Sequence, residues 1–182
     1  MKISIKITLL LFLSINSFSQ SKESLKKMAD EAEKIFTWDI DKMDKGTLMF
    51  LDVAYERENQ NSTEYLTLTV AKTKTEKRPK FISMILPNNI VKSNGIFIKF
   101  GNDELEDAMP VRVEFENCDN ETCTARIING YITKEDTKEK IDVFEKFMNF
   151  RHVYFLFIYP DGSHKSVAVP LYIFKRQYSA LD

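Results

Sequence analysis

Apolar and polar residues alternate with a period near two through much of this chain. That period puts one face of a strand into a core and the other toward water. Residues 48–55 read as a strand that is apolar on both faces at its centre. A polar turn follows at 56–62, and residues 65–71 then set Leu66, Leu68 and Val70 against Thr67, Thr69 and Ala71. The two predict a hairpin. Residues 81–86 predict a third strand, stopped by Pro87, Asn88 and Asn89, which favour turns. Residues 95–100 place Ile96, Ile98 and Phe100 on one side. Across 110–131, Val111, Val113 and Phe115 alternate with Arg112, Glu114 and Glu116, and Ala125 and Ile127 with Thr124 and Arg126. The simplest reading is two antiparallel strands whose turn carries Cys118 and Cys123. Residues 153–159 are apolar on both faces, as a central strand is. Pro160-Asp161-Gly162-Ser163 predicts a tight turn, and 164–169 the returning partner. Pro170 has no N–H to donate and ends that ladder.

The period lengthens to that of a helix in three places. Leu25, Met28, Ala32, Ile35 and Phe36 fall on one side of 20–38, which predicts a short amphipathic helix or a flexible lead-in. Ile141, Phe144, Phe147 and Met148 line one side of the charged stretch 133–149, where Thr133 and Asp136 have capping-box spacing. Leu171, Phe174, Tyr178 and Leu181 do the same for a terminal helix. Trp38, the single tryptophan, reads as a core or edge anchor. Together these elements predict a mainly β fold: a single-domain antiparallel β-sandwich with two or three short peripheral helices. A closed barrel is the alternative.

The first residues belong to a different pattern. Lys2 and Lys6 precede the apolar run 7–13, and Ser17 and Ser19 stand at −3 and −1 of a cut before Gln20. Charge, short apolar run and small residues in that order predict a signal peptide over residues 1–19. Residues 20–45 would then be the N-terminal helix or lead-in, and 46–182 the sandwich domain. No cysteine near the cut offers a lipid anchor, and no later run is long and apolar enough for an integral membrane segment. The mature chain is therefore expected to be periplasmic or secreted.

Composition narrows the partners. The formal charge of −1 gives no bulk field for nucleic acid. Phe and Tyr, at 14 and 7, outnumber Gly at 5, which favours strands over unusual backbone. In an oxidising compartment the two cysteines pair by default, so Cys118 and Cys123 are expected to form a disulfide.

Candidate chemistry is sparse. The basic stretch 72–80 is interrupted by Thr and Glu and reads as a solvated loop. Asp103, Glu104, Glu106 and Asp107 lack the spacing of a calcium loop. His152 and His164 could join the cysteines around zinc, or one could activate a thiol, but a disulfide consumes both sulfurs. No nucleophile elbow, phosphate-cradling glycine loop or zinc-protease motif is present. We assign no catalytic, cofactor-binding or metal residue, and no cofactor.

From residue 80 to 181 the chain resembles the invasion-associated locus B family of exported bacterial proteins. Ile82-Ser83-Met84-Ile85-Leu86-Pro87 is similar to the family's strand ending in Leu-Pro, and Asn94-Gly95-Ile96-Phe97-Ile98 to its Gly-led next strand. Phe115-Glu116-Asn117-Cys118 with Cys123-Thr124-Ala125 resembles its two-cysteine element, and residues 167–171 with Phe174 its closing strand and helix. Thr122 stands where the family usually has Gly, Ile173 where the terminal motif has Gly, and an N-terminal cysteine pair is missing, so the resemblance is to a divergent member. It implies an exported β-rich protein and carries no catalytic residues. The expected function is a non-enzymatic envelope or secreted protein, a protein-interaction module for host or surface contact, meeting another envelope or extracellular protein through a sheet edge or loop. The alternative is a periplasmic small-molecule or lipid-binding module with Phe97, Phe155 and Phe157 lining its pocket. A hydrolase built around His152 is a third reading.

Overall fold

The computed structural model describes residues 22–57, 62–75, 78–101, 110–127, 130–134 and 137–181. The expected signal peptide and the acidic cluster at 103–107 lie outside them, as do 58–61 and 76–77 of the two expected polar loops. The chain divides into Met1–Ile35 and Phe36–Asp182. The first unit contains most of one helix, α1 (Lys22–Phe36), whose period places Met28, Ala32 and Ile35 on one side.

In the second unit twelve strands are described: β1 (Asp39–Met43), β2 (Gly46–Glu56), β3 (Thr63–Thr73), β4 (Pro79–Pro87), β5 (Ile96–Gly101), β6 (Val111–Val113), β7 (Phe115–Cys118), β8 (Thr122–Ile127), β9 (Gly130–Lys134), β10 (Thr137–Ile141), β11 (His152–Ile158) and β12 (His164–Pro170). Two helices join them, α2 (Val143–Asn149) and α3 (Leu171–Ser179). A six-stranded sheet runs β1-β2-β3-β4-β8-β7, a four-stranded sheet runs β12-β11-β5-β6, and β10-β9 forms a ribbon. Every pairing is antiparallel. The predicted sandwich is the observed class of fold.

The core follows from the alternation. Met49, Leu51, Val53 and Tyr55 of β2 are buried with Leu66, Leu68 and Val70 of β3 and Ile82, Met84 and Leu86 of β4. The four-stranded sheet answers with Ile96, Ile98, Phe100, Val153, Phe155, Phe157, Val167 and Val169. Tyr55 meets Phe157 edge-on across the sheets, with ring centres 5.4 Å apart. One margin is closed by aromatic packing: Phe147 of α2 touches Phe100 at 5.6 Å and Phe174 of α3 at 5.5 Å, and Phe174 touches Trp38 at 5.1 Å. Trp38 is 1% exposed, and Gln177 clasps its backbone, donating to its carbonyl and accepting from its N–H, each at 2.9 Å.

Three expectations need correction. The predicted single strand over 111–116 is two strands in different sheets: Val111 and Val113 pair with β5, Phe115 pairs with Ala125 of β8, and Glu114 lies between them. Strict alternation cannot reveal such a corner, because each half keeps its own period of two. The predicted helix over 133–149 is a helix only from Val143; its first part is the hairpin β9–β10, with Lys138 opposite Thr133 and Glu139 opposite Ile132. All the periodic apolar residues except Ile141 lie within α2, so only charge suggested a helix before it. The cap is Asp142, whose carboxylate accepts from the Glu145 N–H at 2.9 Å, not Thr133. The basic stretch 72–80 is less loop than predicted, since Lys72 and Thr73 belong to β3 and Pro79 to β4.

Candidate functional site

The turns of several strands gather at one end of the sandwich: the end of β2, the start of β3, residues 88–95 between β4 and β5, the β7–β8 turn and the β11–β12 turn. Residues 88–95 act as a strap across this end. Asn88 donates its backbone N–H to Glu121 O at 2.9 Å and its side-chain amide to Asp119 O at 2.8 Å. Val91 donates to Ile158 O at 2.7 Å, which ties the strap to β11. Arg112 holds the far end, donating to Asn94 O at 3.0 Å and Ser93 O at 2.7 Å. Gly95 has φ +66°, and a Cβ there would stand 2.3 Å from Val113 O. Glycine is needed here for both reasons.

Cys118 and Cys123 face each other in register across β7 and β8, with their sulfurs 2.04 Å apart. Asp119 closes the turn between them. Its carboxylate accepts from the backbone N–H groups of Thr122 at 2.7 Å and Glu121 at 2.8 Å. These donors, Thr122 first, hold its pKa below the usual carboxylate value.

Beside the strap lies a polar network. Glu64 accepts from the Tyr159 hydroxyl and from the Asn89 amide, both at 2.8 Å. The Arg57 guanidinium lies over the Tyr159 ring at 4.1 Å and pairs with Asp161 at 2.6 Å. Asp161 also accepts from the Ser163 hydroxyl at 2.5 Å and its N–H at 2.9 Å, which together with Arg57 lower its pKa to about 2. Burial, then the Glu64 carboxylate, raises the Tyr159 phenol well above its ordinary value. Burial likewise raises Tyr55, helped by Tyr159 and Glu64. The Tyr55 hydroxyl and Asn89 Oδ1 are buried here with no hydrogen-bond partner in good geometry among the described residues.

Among the described residues the charged groups of this end are largely paired with one another. Both phenols are held protonated, and the guanidinium is committed to a ring and a carboxylate. The network joins residues as far apart as Glu64 and Tyr159, 95 positions. No local signal in the sequence marks it, although the Pro160–Ser163 turn that presents Asp161 was readable.

The other candidates are kept apart. His152 pairs with Pro170 at one end of the β11–β12 hairpin, and His164 with Ile158 at the other. Six residue steps separate them along β11, about 20 Å. The bonded cysteines are in the other sheet, so neither the zinc set nor the thiol–imidazole pair assembles. Asp161 and Ser163 are at the His164 end, remote from His152. Phe155 and Phe157 are fully buried on the inner face, while Phe97, opposite Leu156, is half-buried on the outer face. The three phenylalanines do not line one space. An open depression of about 300 Å³ lies elsewhere, between Asp142, Glu145, Lys146, Asn149 and Phe150. Of the basic stretch, Arg78 pairs with Asp142 and the Lys72 ammonium lies 5.2 Å from the Tyr178 ring centre. Among the described residues no group of three or more His, Cys, Asp or Glu could hold a metal ion, and no helix is long and apolar enough to cross a membrane.

Fold and site together define a class: a two-sheet antiparallel β protein whose loop end is strapped and clamped by a two-cysteine turn. Within that class, the fold is similar to the crystal structure of invasion associated protein B from Bartonella henselae, with a TM-score of 0.51 and 13% sequence identity over 79% of this chain and 89% of that one. This likeness of fold agrees with the resemblance read from the sequence. No family model and no curated protein matches the chain.

Proposed function

We propose that this chain is an exported, non-enzymatic interaction protein of the cell envelope or its surroundings, and that it binds another envelope or extracellular protein. The observation that carries the reading is the loop end whose charged groups pair with one another among the described residues. Among the described residues most of its charged groups are spent on holding turns, and the Asp161 carboxylate beside the Ser163 hydroxyl is itself tied to Arg57, so this end suits a rigid contact surface better than a reaction centre. The fold shared with an invasion-associated protein is consistent with such a role, and the cysteine pair suits an oxidising compartment. The test is cross-linking of the tagged protein at native abundance in whole cells, followed by recovery from envelope and medium fractions. A specific, saturable partner is expected. Repeated recovery of the protein alone, or recovery from the cytoplasm with two free thiols, would overturn the proposal.

A further inference from the structure

The proposed function leaves open which surface meets the partner; resting on that reading, we infer that the free edge of β1 is a docking strand for an extended, basic segment of another protein. β1 ends the six-stranded sheet, and its only strand partner among the described residues is β2. All five of its residues are exposed. Its hairpin with β2 turns through two residues, Asp44 and Lys45, with Met43 opposite Gly46. A two-residue turn makes that flanking pair the hydrogen-bonded one. Bonded pairs then recur at Asp41–Leu48 and Asp39–Phe50. The N–H and C=O groups of Ile40 and Lys42 therefore point away from β2, four groups presented to an incoming strand. Edge strands of this kind pair with other chains unless something blocks them.

Charge selects the occupant. A second copy would pair β1 with itself antiparallel, in a register that matches outward-bonding residues. Ile40 opposite Ile40 sets Asp39 against Asp41. Ile40 opposite Lys42 sets Asp41 against Asp41. Lys42 opposite Lys42 sets like ammonium groups together. Like charges directly opposite are destabilising, so every symmetric register is disfavoured. A strand with Lys or Arg at alternate positions instead meets Asp39 and Asp41 on one face. The opposite face of β1 carries Ile40, 41% accessible, which suits the apolar residues that alternate with the basic ones. The edge thus fits an extended chain segment of alternating basic and apolar residues and discriminates against its own copy.

The probe is a capped Lys-Val-Lys-Val-Lys-Val-Lys peptide, with its Glu-Val counterpart as control, titrated into the exported chain and followed by amide NMR. The Lys peptide should shift and protect the Ile40 and Lys42 amides. Ile40→Pro removes an outward N–H without touching the β1–β2 ladder, so it should fold and bind the peptide about tenfold or more weakly. Asp39→Lys with Asp41→Lys should exchange the preference to the Glu peptide. Equal binding by Ile40→Pro, or shifts that avoid 39–43, would overturn the inference. So would a dimer that Ile40→Pro dissolves, which gives the edge to a second copy, or protection of both amides in the free monomer, which gives it to the chain's own segment. If a cellular partner is captured equally by wild type and Ile40→Pro, the interaction function stands and the docking edge falls.

Discussion

The six-stranded sheet is finished differently on its two sides. β7 is four residues long, has the extra residue Glu116 bulged out of register, and is bonded through Cys118 to its neighbour. A bulge and a short length are the usual ways of blunting an edge. β1 is one residue longer, pairs in register throughout, and is tied at its ends instead: Trp38 is buried before it, and the Asp44-Lys45 turn follows it. β7 is blunted by its own residues, whereas β1 is anchored by its flanks and its outer edge is unpaired among the described residues. The difference leaves one edge of the sheet blunted by a bulge and a cysteine pair and the other presenting outward-facing backbone groups. It also explains why β7 is half-visible in the sequence and β1 is not.

The comparison can be broken most severely at Trp38. Trp38→Ala removes a fully buried ring and loosens the Gln177 clasp, which should cost about 3–5 kcal/mol and free β1 from the sheet before β7 opens. Denaturant melts with hydrogen exchange would show both. Cys118→Ala with Cys123→Ala should cost about 2 kcal/mol, the worth of so small a ring in the chain-entropy model. Its exchange signature should be confined to β7, the β7–β8 turn and the strap. Asp119→Asn should have a smaller effect that depends on pH. The Asp119 pKa is lowered in the folded state by the N–H groups of Thr122 and Glu121. Its stabilisation is therefore complete above the unfolded value of about 3.9 and is lost as pH falls through the lower folded value. Acid titration of the melting temperature should be less steep in the variant. Ile40→Pro, at an outward position of an exposed strand, should change stability by less than about 0.5 kcal/mol, whereas Asp41→Pro breaks a β1–β2 bond and should cost clearly more.

Which parts were legible follows from what each residue gains. β2, β3, β4, β5, β8 and β11 bury alternate side chains, so selection for the core writes their period into the sequence. Residues 39–43 are all exposed, and they fall within the expected helix or lead-in over 20–45 although they form a strand, because their structure comes from a ladder and a turn. The β9–β10 hairpin was missed for a related reason: the Thr, Lys and Glu residues of β10 suit a helix surface equally well, and strand pairing decides the outcome. The change of sheet at Glu114 leaves no trace, because the two halves share one phase. The loop end divides in the same way. Cys118 and Cys123 are visible as a spacing, but Arg57, Glu64, Asn89 and Tyr159 become neighbours only once the sandwich has closed.

The most direct measurement of this account is amide hydrogen exchange across residues 39–43 in the free monomer. Asp39, Asp41 and Met43 should be protected through their bonds to β2, while Ile40 and Lys42 exchange near the rate of an unstructured chain. Protection of Ile40 and Lys42 as strong as that of their neighbours would mean the edge is already filled, and would contradict the open docking strand.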